Sequence, residues 1–294
     1  RYLYVQPKNK IDVLFLGSSH VHCNVNTQLL WDEYGMAAYL MTGAEQPLWN
    51  SYYNLKEALK TQKPKLVVLD MFCPSRFYDD FQPGWADENL DGMRISLNKL
   101  EAVYTSVQEE QSHFFLGFTE YHSRYDQLTT EDFQNFVWNR KTQERWKGYT
   151  PLNRHAELTE PDMSHVTTSQ EMTEKSKEYF EKVVELTKKE GITLALISGP
   201  YLLEERDQEV YNFIGQLAEK DGLLFWNTNT PAHYREMGLD FSTDYADHAH
   251  LNEAGGAKYT AYLGKWLSQN YSFPDRRGQK GYESWENQLM KSGE

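Results

Sequence analysis

Two short stretches of this chain hold residue types that could do nucleophilic chemistry. Near its start, Gly17-Ser18-Ser19-His20 closes an apolar run, Ile11-Asp12-Val13-Leu14-Phe15-Leu16. Near its far end, Asp247-His248-Ala249-His250 leads into Leu251-Asn252-Glu253-Ala254-Gly255-Gly256. A serine hydroxyl is a weak nucleophile until a base takes its proton and donors hold the oxyanion. An Asp three residues before a His can fold back onto the imidazole and fix its tautomer, which leaves the other ring nitrogen for a serine. Each stretch alone also has an ordinary reading. Gly-Ser-Ser after a strand makes a turn and helix cap, and Asp-x-x-His occurs in surface loops. The chemistry requires a fold that brings the two chain ends together.

The elements between them fit such a fold. Apolar runs at Asp12–Leu16, Ala37–Met41, Leu66–Asp70 and Thr193–Ser198, with a weaker one at Leu223–Asn227, read as parallel strands covered on both faces. Helical patterns fall between them: Asn26–Tyr34, stopped at Gly35; Trp49–Thr61, stopped by Lys63-Pro64; about Ser169 to Lys189; Asp207–Lys220; and Leu251–Asn270. Thr168-x-x-Glu171 has the form of a capping box opening the third of these, and Lys188-Lys189 with Gly191 suits its end. Strand–helix alternation predicts an α/β domain: a flavodoxin-like three-layer α/β/α sandwich around a parallel sheet of about five strands. Sites in such sheets lie at the C-terminal edge of the strands. Ser19, Gly43 and Pro74-Ser75-Arg76 all follow strand ends there.

The alternation fails between Cys73 and Thr168. That region reads as a largely helical insertion after the third strand, about residues 76–167, with a helix over Asn89–Glu110 and then an aromatic, polar stretch. An insertion of this length is usually a lid or a binding element. One domain over residues 1–272 is expected, with a polar tail over 273–294 that gains order by docking.

With 294 residues, 39% hydrophobic and 14% aromatic, including 20 Tyr and 8 Trp, the chain can bury a sizeable core and is too aromatic for disorder. The net charge of −13 argues against nucleic acid or an anionic membrane as a direct partner. No run approaches the ~20 apolar residues of a membrane span. The chain opens on Arg1 rather than Met, so an upstream signal peptide or membrane anchor is expected. Cys23 and Cys73 fit no zinc pattern. A disulfide between them and two separate thiols both remain open, the thiols being the plainer reading.

Taken jointly, the strand-end Gly-x-Ser, the Asp-x-x-His-Leu-Asn-x-x-Gly before the last helix and the parallel strands between them resemble the SGNH (GDSL-type) hydrolase superfamily, over about residues 10 to 270 without the insertion. The resemblance implies Ser19 as nucleophile, His250 as general base and Asp247 as its orienter. Ser18 stands where the family's first block usually has Asp. Gly43, in Met41-Thr42-Gly43, matches the second-block glycine, so the amides of Ser19 and Gly43 would form the oxyanion hole. The third block departs from the pattern. Where the family has Gly-x-Asn-Asp, this chain has Asp70-Met71-Phe72-Cys73-Pro74-Ser75-Arg76 and no Asn. Ser75, Arg76 or Gln46 could supply the missing donor, whose loss costs ~3 kcal/mol of transition-state stabilisation. The Gly-Ser-Ser opening is similar to that of extracytoplasmic SGNH-like proteins that accompany membrane-bound O-acyltransferases, such as the family that helps attach D-alanine to teichoic acids.

That resemblance implies a serine-dependent esterase or O-acyltransferase acting on an acylated glycan or cell-wall polymer. It would work outside the membrane, with a membrane-bound O-acyltransferase as partner and without a cofactor. His20, Gln46, Arg76, Tyr121, His122 and Arg124 are candidate substrate contacts. For His20 and His22 the alternative is packing at the helix start, and for Tyr121, His122, Arg124 and Tyr125 an aromatic mini-core of the insertion. His248 is expected to point away from the site. His20-x-His22 lacks a third ligand at supporting spacing, so no metal is expected. The rival function is a non-catalytic glycan- or partner-binding module on a degenerate SGNH scaffold. A nucleotide-binding domain is disfavoured, because neither Gly-x-Gly-x-x-Gly nor Gly-Lys-Ser/Thr is present.

Overall fold

A computed structural model of the chain describes residues 2–76, 85–107, 114 and 146–286. Five strands form one parallel sheet: β1 (Val13–Gly17), β2 (Ala38–Thr42), β3 (Leu66–Asp70), β4 (Thr193–Ser198) and β5 (Leu224–Asn227), in the order β2-β1-β3-β4-β5. This is the flavodoxin-like order, with its topological switch between β1 and β3. Val13, Leu14, Phe15 and Leu16 of β1 have no exposed surface, as expected for the central strand of a sheet covered on both faces. Each such side chain contributes ~1.5–3 kcal/mol by leaving water.

Helices α1 (Ser19–His22) and α2 (Thr27–Tyr34) follow β1, and α3 (Leu48–Leu59) follows β2. After β3 come α4 (Phe72–Arg76), α5 (Trp85–Leu90) and α6 (Leu97–Ser106). Helix α7 (Glu174–Glu190) leads into β4, and α8 (Glu205–Asp221) into β5. Then come α9 (Pro231–Met237), α10 (Glu253–Asn270) and α11 (Glu283–Glu286). One core cluster joins Leu14, Leu16, Val67 and Leu69 of the sheet to Leu55 of α3, Phe180 of α7 and Ile214 of α8. The other joins Val13, Phe15 and Val68 to Leu30 of α2, Tyr234 of α9 and Leu263 of α10. These are the two outer layers of the sandwich.

Three sequence expectations need correction. Thr168-x-x-Glu171 does not open α7. Thr173 caps it by accepting the Ser176 amide, while Thr168 bonds Glu209 and Glu171 pairs with Lys177. The long helix expected over Asn89–Glu110 is broken into α5 and α6 by a turn around Gly92, and Ser96 caps α6. Asp207 does not begin α8; it is the third residue of a capping box built with Glu204. Cys23 and Cys73 are both buried and unbridged.

The last described residues dock onto the sandwich. Arg276 grips buried Asp12 with two hydrogen bonds, of 2.7 and 2.9 Å, and the Trp285 indole donates to the Ala38 carbonyl at 3.1 Å. The end of the insertion also packs inward. Leu40 donates its amide to Lys147, and residues 156–158 pair with the loop before His250 through Ala156–Tyr245 and Leu158–Phe241 bonds.

Candidate active site

The site is built at the C-terminal end of β1. Gly17 ends the strand at φ 155°, in contact with β3, and a Cβ there would lie 2.5 Å from the Asp70 Cβ. Only glycine lets the two strand tips approach this closely. Ser18 then caps α1, its hydroxyl accepting the His20 amide. Because α1 is one turn long, Ser19 heads a tight turn rather than a long helix.

The loop before α10 supplies the other half. Asn252 caps α10 through the Gly255 amide. Asp247 Oδ1 accepts the amides of Ala249 and His250 at 2.9 and 3.0 Å, which winds the loop around the carboxylate. The same oxygen lies 2.8 Å from His250 Nδ1, and His250 Nε2 lies 2.7 Å from Ser19 Oγ. The two ends of the chain therefore meet in one hydrogen-bonded line. Arg154, from the insertion, pairs with the other carboxylate oxygen of Asp247 at 2.9 Å. Burial pushes the Asp247 carboxyl up. Its bond and charge interaction with His250, the Ala249 amide and Arg154 together outweigh burial and hold it well below the usual carboxylate range. It is therefore ionised wherever an imidazole needs orienting.

Around this line sit two further histidines. The His20 ring is buried, stacked on Phe72 at 3.5 Å between centroids, edge-on to Tyr201 at 4.8 Å and 5.7 Å from the His250 ring. His22 shares a hydrogen bond with the Thr42 hydroxyl. Burial, reinforced by nearby His250, lowers its pKa to about 4, so it is neutral at ordinary pH. His248 is exposed.

The candidate oxyanion donors differ in availability. The Ser19 amide has no acceptor among the described residues. The Gly43 amide donates to the Gly17 carbonyl at 3.4 Å, a long bond that continues the β1–β2 ladder by one step. Gln46 is buried: its amide nitrogen donates to Ser51 and Met41, and its oxygen accepts from Asn54. It braces the entry to α3 and offers no free group to a ligand. Ser75 is also buried and bonded to the Phe72 carbonyl and the Tyr211 hydroxyl. The backbone of Arg76 ends α4. Tyr121, His122 and Arg124 lie outside the described residues. No group of side chains able to hold a metal occurs among the described residues.

Three residues around the candidate site are marked by no sequence motif. Asn24 accepts the Leu251 amide, Arg154 pairs with Asp247, and Asp70 meets the Ser18-Ser19 turn. The Asp70 carboxylate is buried, accepts from the Ser18 hydroxyl at 3.4 Å and also meets the amides of Phe72 and Ser18. Burial raises its pKa to about 7 against the pull of those donors. An Asp ending an apolar strand is the one sequence feature that could have marked it.

No family model matches this chain, and no curated protein sequence does. Among solved structures, the chain is similar to an inferred acylhydrolase from Bacteroides fragilis, with 12% identity, a TM-score of 0.43 and coverage of 91% of this chain and 92% of that one. It is also similar to a catalytic mutant of an acetylxylan esterase from Geobacillus stearothermophilus, again at 12% identity, with a TM-score of 0.44 and coverage of 91% and 98%. The parallel five-stranded sheet and its two helical layers define the class of the protein, a three-layer α/β/α domain.

Proposed function

We propose that this chain is a serine-dependent acyl-ester enzyme, an esterase or O-acyltransferase. The observation that carries the reading is the line Ser19 Oγ–His250 Nε2 at 2.7 Å and His250 Nδ1–Asp247 Oδ1 at 2.8 Å. Ser19 attacks the acyl carbonyl while His250 takes its proton. The carbonyl oxygen gains the negative charge beside the Ser19 amide. Collapse of the tetrahedral intermediate breaks the ester bond, and His250 returns the proton to the departing alcohol. Water or a sugar hydroxyl then attacks the acyl carbon while giving its proton to His250, and His250 passes that proton to Ser19 as the acyl–Ser19 bond breaks. In this reading the buried aromatic group of His20, Phe72 and Tyr201 walls the site, and the acyl groups are those of an extracytoplasmic cell-envelope polysaccharide. A membrane-bound O-acyltransferase is the proposed partner.

The test is turnover of p-nitrophenyl acetate with mass-spectrometric detection of a serine-directed fluorophosphonate adduct. Labelling at Ser19 and loss of turnover in Ser19→Ala are expected. Turnover unchanged by that substitution overturns the covalent mechanism.

One observation favours a second reading, a glycan- or partner-binding module. The Gly43 amide is already engaged by Gly17, and no Asn follows β3 to replace it as an oxyanion donor. Binding of acetylated oligosaccharide by both the parent chain and Ser19→Ala, with turnover by neither, would select this reading.

A further inference from the structure

One part of the sheet edge opposite Ser19 is rich in basic residues. Three segments meet there: residues 2–10 before β1, residues 60–65 before β3 and residues 92–97 leading into α6. Asn9 donates its amide to Thr61, and Gln62 donates its side-chain amide to the Pro7 carbonyl. The Arg94 amide donates to the Tyr4 hydroxyl, and Lys60 reaches the Ser96 hydroxyl at 3.4 Å. The three segments thus form one continuous surface. Together they carry Lys8, Lys10, Lys60, Lys63, Lys65 and Arg94 and no Asp or Glu, in a chain whose net charge is −13. The acid excess is therefore not uniform. Lys60 is paired with Glu57, and Lys10 is tied to the Lys280 carbonyl. Lys8, Lys63 and Lys65 are exposed and have no ion pair among the described residues.

Apolar side chains project from the same surface. Val5 is 49% exposed, Ile95 76% and Leu97 78%. Large aliphatic side chains this exposed, set among lysines, do not contribute to the core. Branched apolar tips among basic residues match an anionic bilayer, where the tips enter the acyl boundary and the lysines meet headgroup phosphates. A nucleic acid would satisfy the lysines and leave the tips in water.

We infer that this edge is a docking surface for an anionic lipid bilayer. The five residues of β1 span about 16 Å, so a chain docked by this edge holds Ser19 away from the membrane and open to a polymer outside it. The surface does not depend on the ester chemistry, and its test is separate from it.

The experiment is co-sedimentation of the purified chain with vesicles. Vesicles of phosphatidylglycerol mixed with phosphatidylcholine should pull the chain down, vesicles of phosphatidylcholine alone should not, and salt should release it. Lys63→Glu/Lys65→Glu should weaken binding by about tenfold or more, at about 1 kcal/mol for each lysine at such a surface. The charge-matched Arg235→Glu/Lys265→Glu, on helices α9 and α10, should bind as the parent does. Ile95→Ser/Leu97→Ser should weaken binding with the charge unchanged. All positions are on the surface, and circular dichroism reports whether each variant folds. Equal sedimentation of parent and Lys63→Glu/Lys65→Glu overturns the proposal. So does absence of vesicle binding, with or without binding of a DNA duplex; DNA binding would reassign the lysines to a soluble polyanion.

Discussion

Asn24 and Leu251 are joined across 227 positions of sequence by one hydrogen bond, in which the Leu251 amide donates to Asn24 Oδ1 at 3.0 Å. Leu251 directly follows His250, so this bond fixes the backbone from which the imidazole reaches Ser19. Thr260 of α10 supports it by donating to the Asn24 carbonyl at 3.1 Å and accepting the Asn26 amide at 2.9 Å. The other side-chain atom of Asn24, Nδ2, is buried and has no partner among the described residues. Its acceptor is therefore the atom that matters. Asn24→Ala leaves a buried amide unpaired, at ~1–3 kcal/mol. It should lower kcat about tenfold or more, with KM little changed, because the loss falls on base placement. Asn24→Asp keeps the acceptor and should recover most of kcat while remaining less stable, since it buries a carboxylate. Steady-state kinetics beside thermal melts separate the two effects. Equal kcat in Asn24→Ala and the parent would remove Asn24 from the positioning of His250.

Asp70 links stability to pH. Its folded pKa of about 7 lies above the 3.8 of an unperturbed Asp, chiefly through burial. Between those values the folded chain keeps a proton that the unfolded chain has lost. The stabilising contribution of this group is thus complete below about pH 3.8, falls as pH rises and is gone once pH passes about 7. Asp70→Asn cannot ionise. Relative to this variant, the melting temperature of the parent should fall as pH is raised through that window and level off above it. The variant should also lose activity, by roughly tenfold or ~1.4 kcal/mol, because one acceptor oxygen replaces the two that meet the Ser18 hydroxyl and the amides of Phe72, Ser18 and Met71. Parallel melting curves at all pH values would show that Asp70 does not titrate in this range.

The strands were legible because their signal is local. Apolar runs bounded by turns placed β3 and β4 on the observed residues and the others within about one residue of their ends. Gly17, Ser19, Asp247 and His250 stand out as candidates for the same reason: each pair carries its geometry within a few residues. Asn24, Asp70 and Arg154 act through partners far away in sequence, and no periodicity reports such a contact. Two local signals misled. Thr168-x-x-Glu171 has the composition of a capping box, yet its side chains are drawn to Glu209 and Lys177. Gln46 looked like a loop donor, but Ser51 and Asn54 of α3 take both ends of its amide. In each case a tertiary partner competes successfully for a group to which the local sequence assigns no distant partner.

The two partners of Asp247 should differ sharply in importance. Arg154 reaches it from the surface, with its own side chain 66% exposed. Pairs of this kind contribute ~0–1 kcal/mol, so Arg154→Ala should reduce kcat/KM by no more than about fivefold. The bond to His250 sets the tautomer, and Asp247→Asn should lower kcat by ~10³-fold or more. Added salt should lessen the Arg154 effect and leave the Asp247 effect in place. Comparable losses in the two variants would mean that Arg154 contacts the substrate.

Gly43 is held between β2 and α5. A Cβ at this position would come within 2.3 Å of Asn89 Oδ1 and 2.7 Å of its Cγ. Asn89 cannot swing away freely, because its Nδ2 donates to the carbonyls of Ala44 and Trp85 at 2.7 and 2.9 Å. Gly43→Ala should therefore push α5 outward, at ~1–3 kcal/mol of overpacking. It should also lower kcat, since the backbone beside Ser19 moves with it. The substitution preserves the Gly43 amide, so removing the obstruction should restore both properties. Gly43→Ala/Asn89→Ala should be more stable and more active than Gly43→Ala alone, with the coupling between the sites read from a double-mutant cycle. Recovery of melting temperature without recovery of kcat would show that Asn89 itself serves the reaction, as the polar group that stands in for the Asn absent after β3.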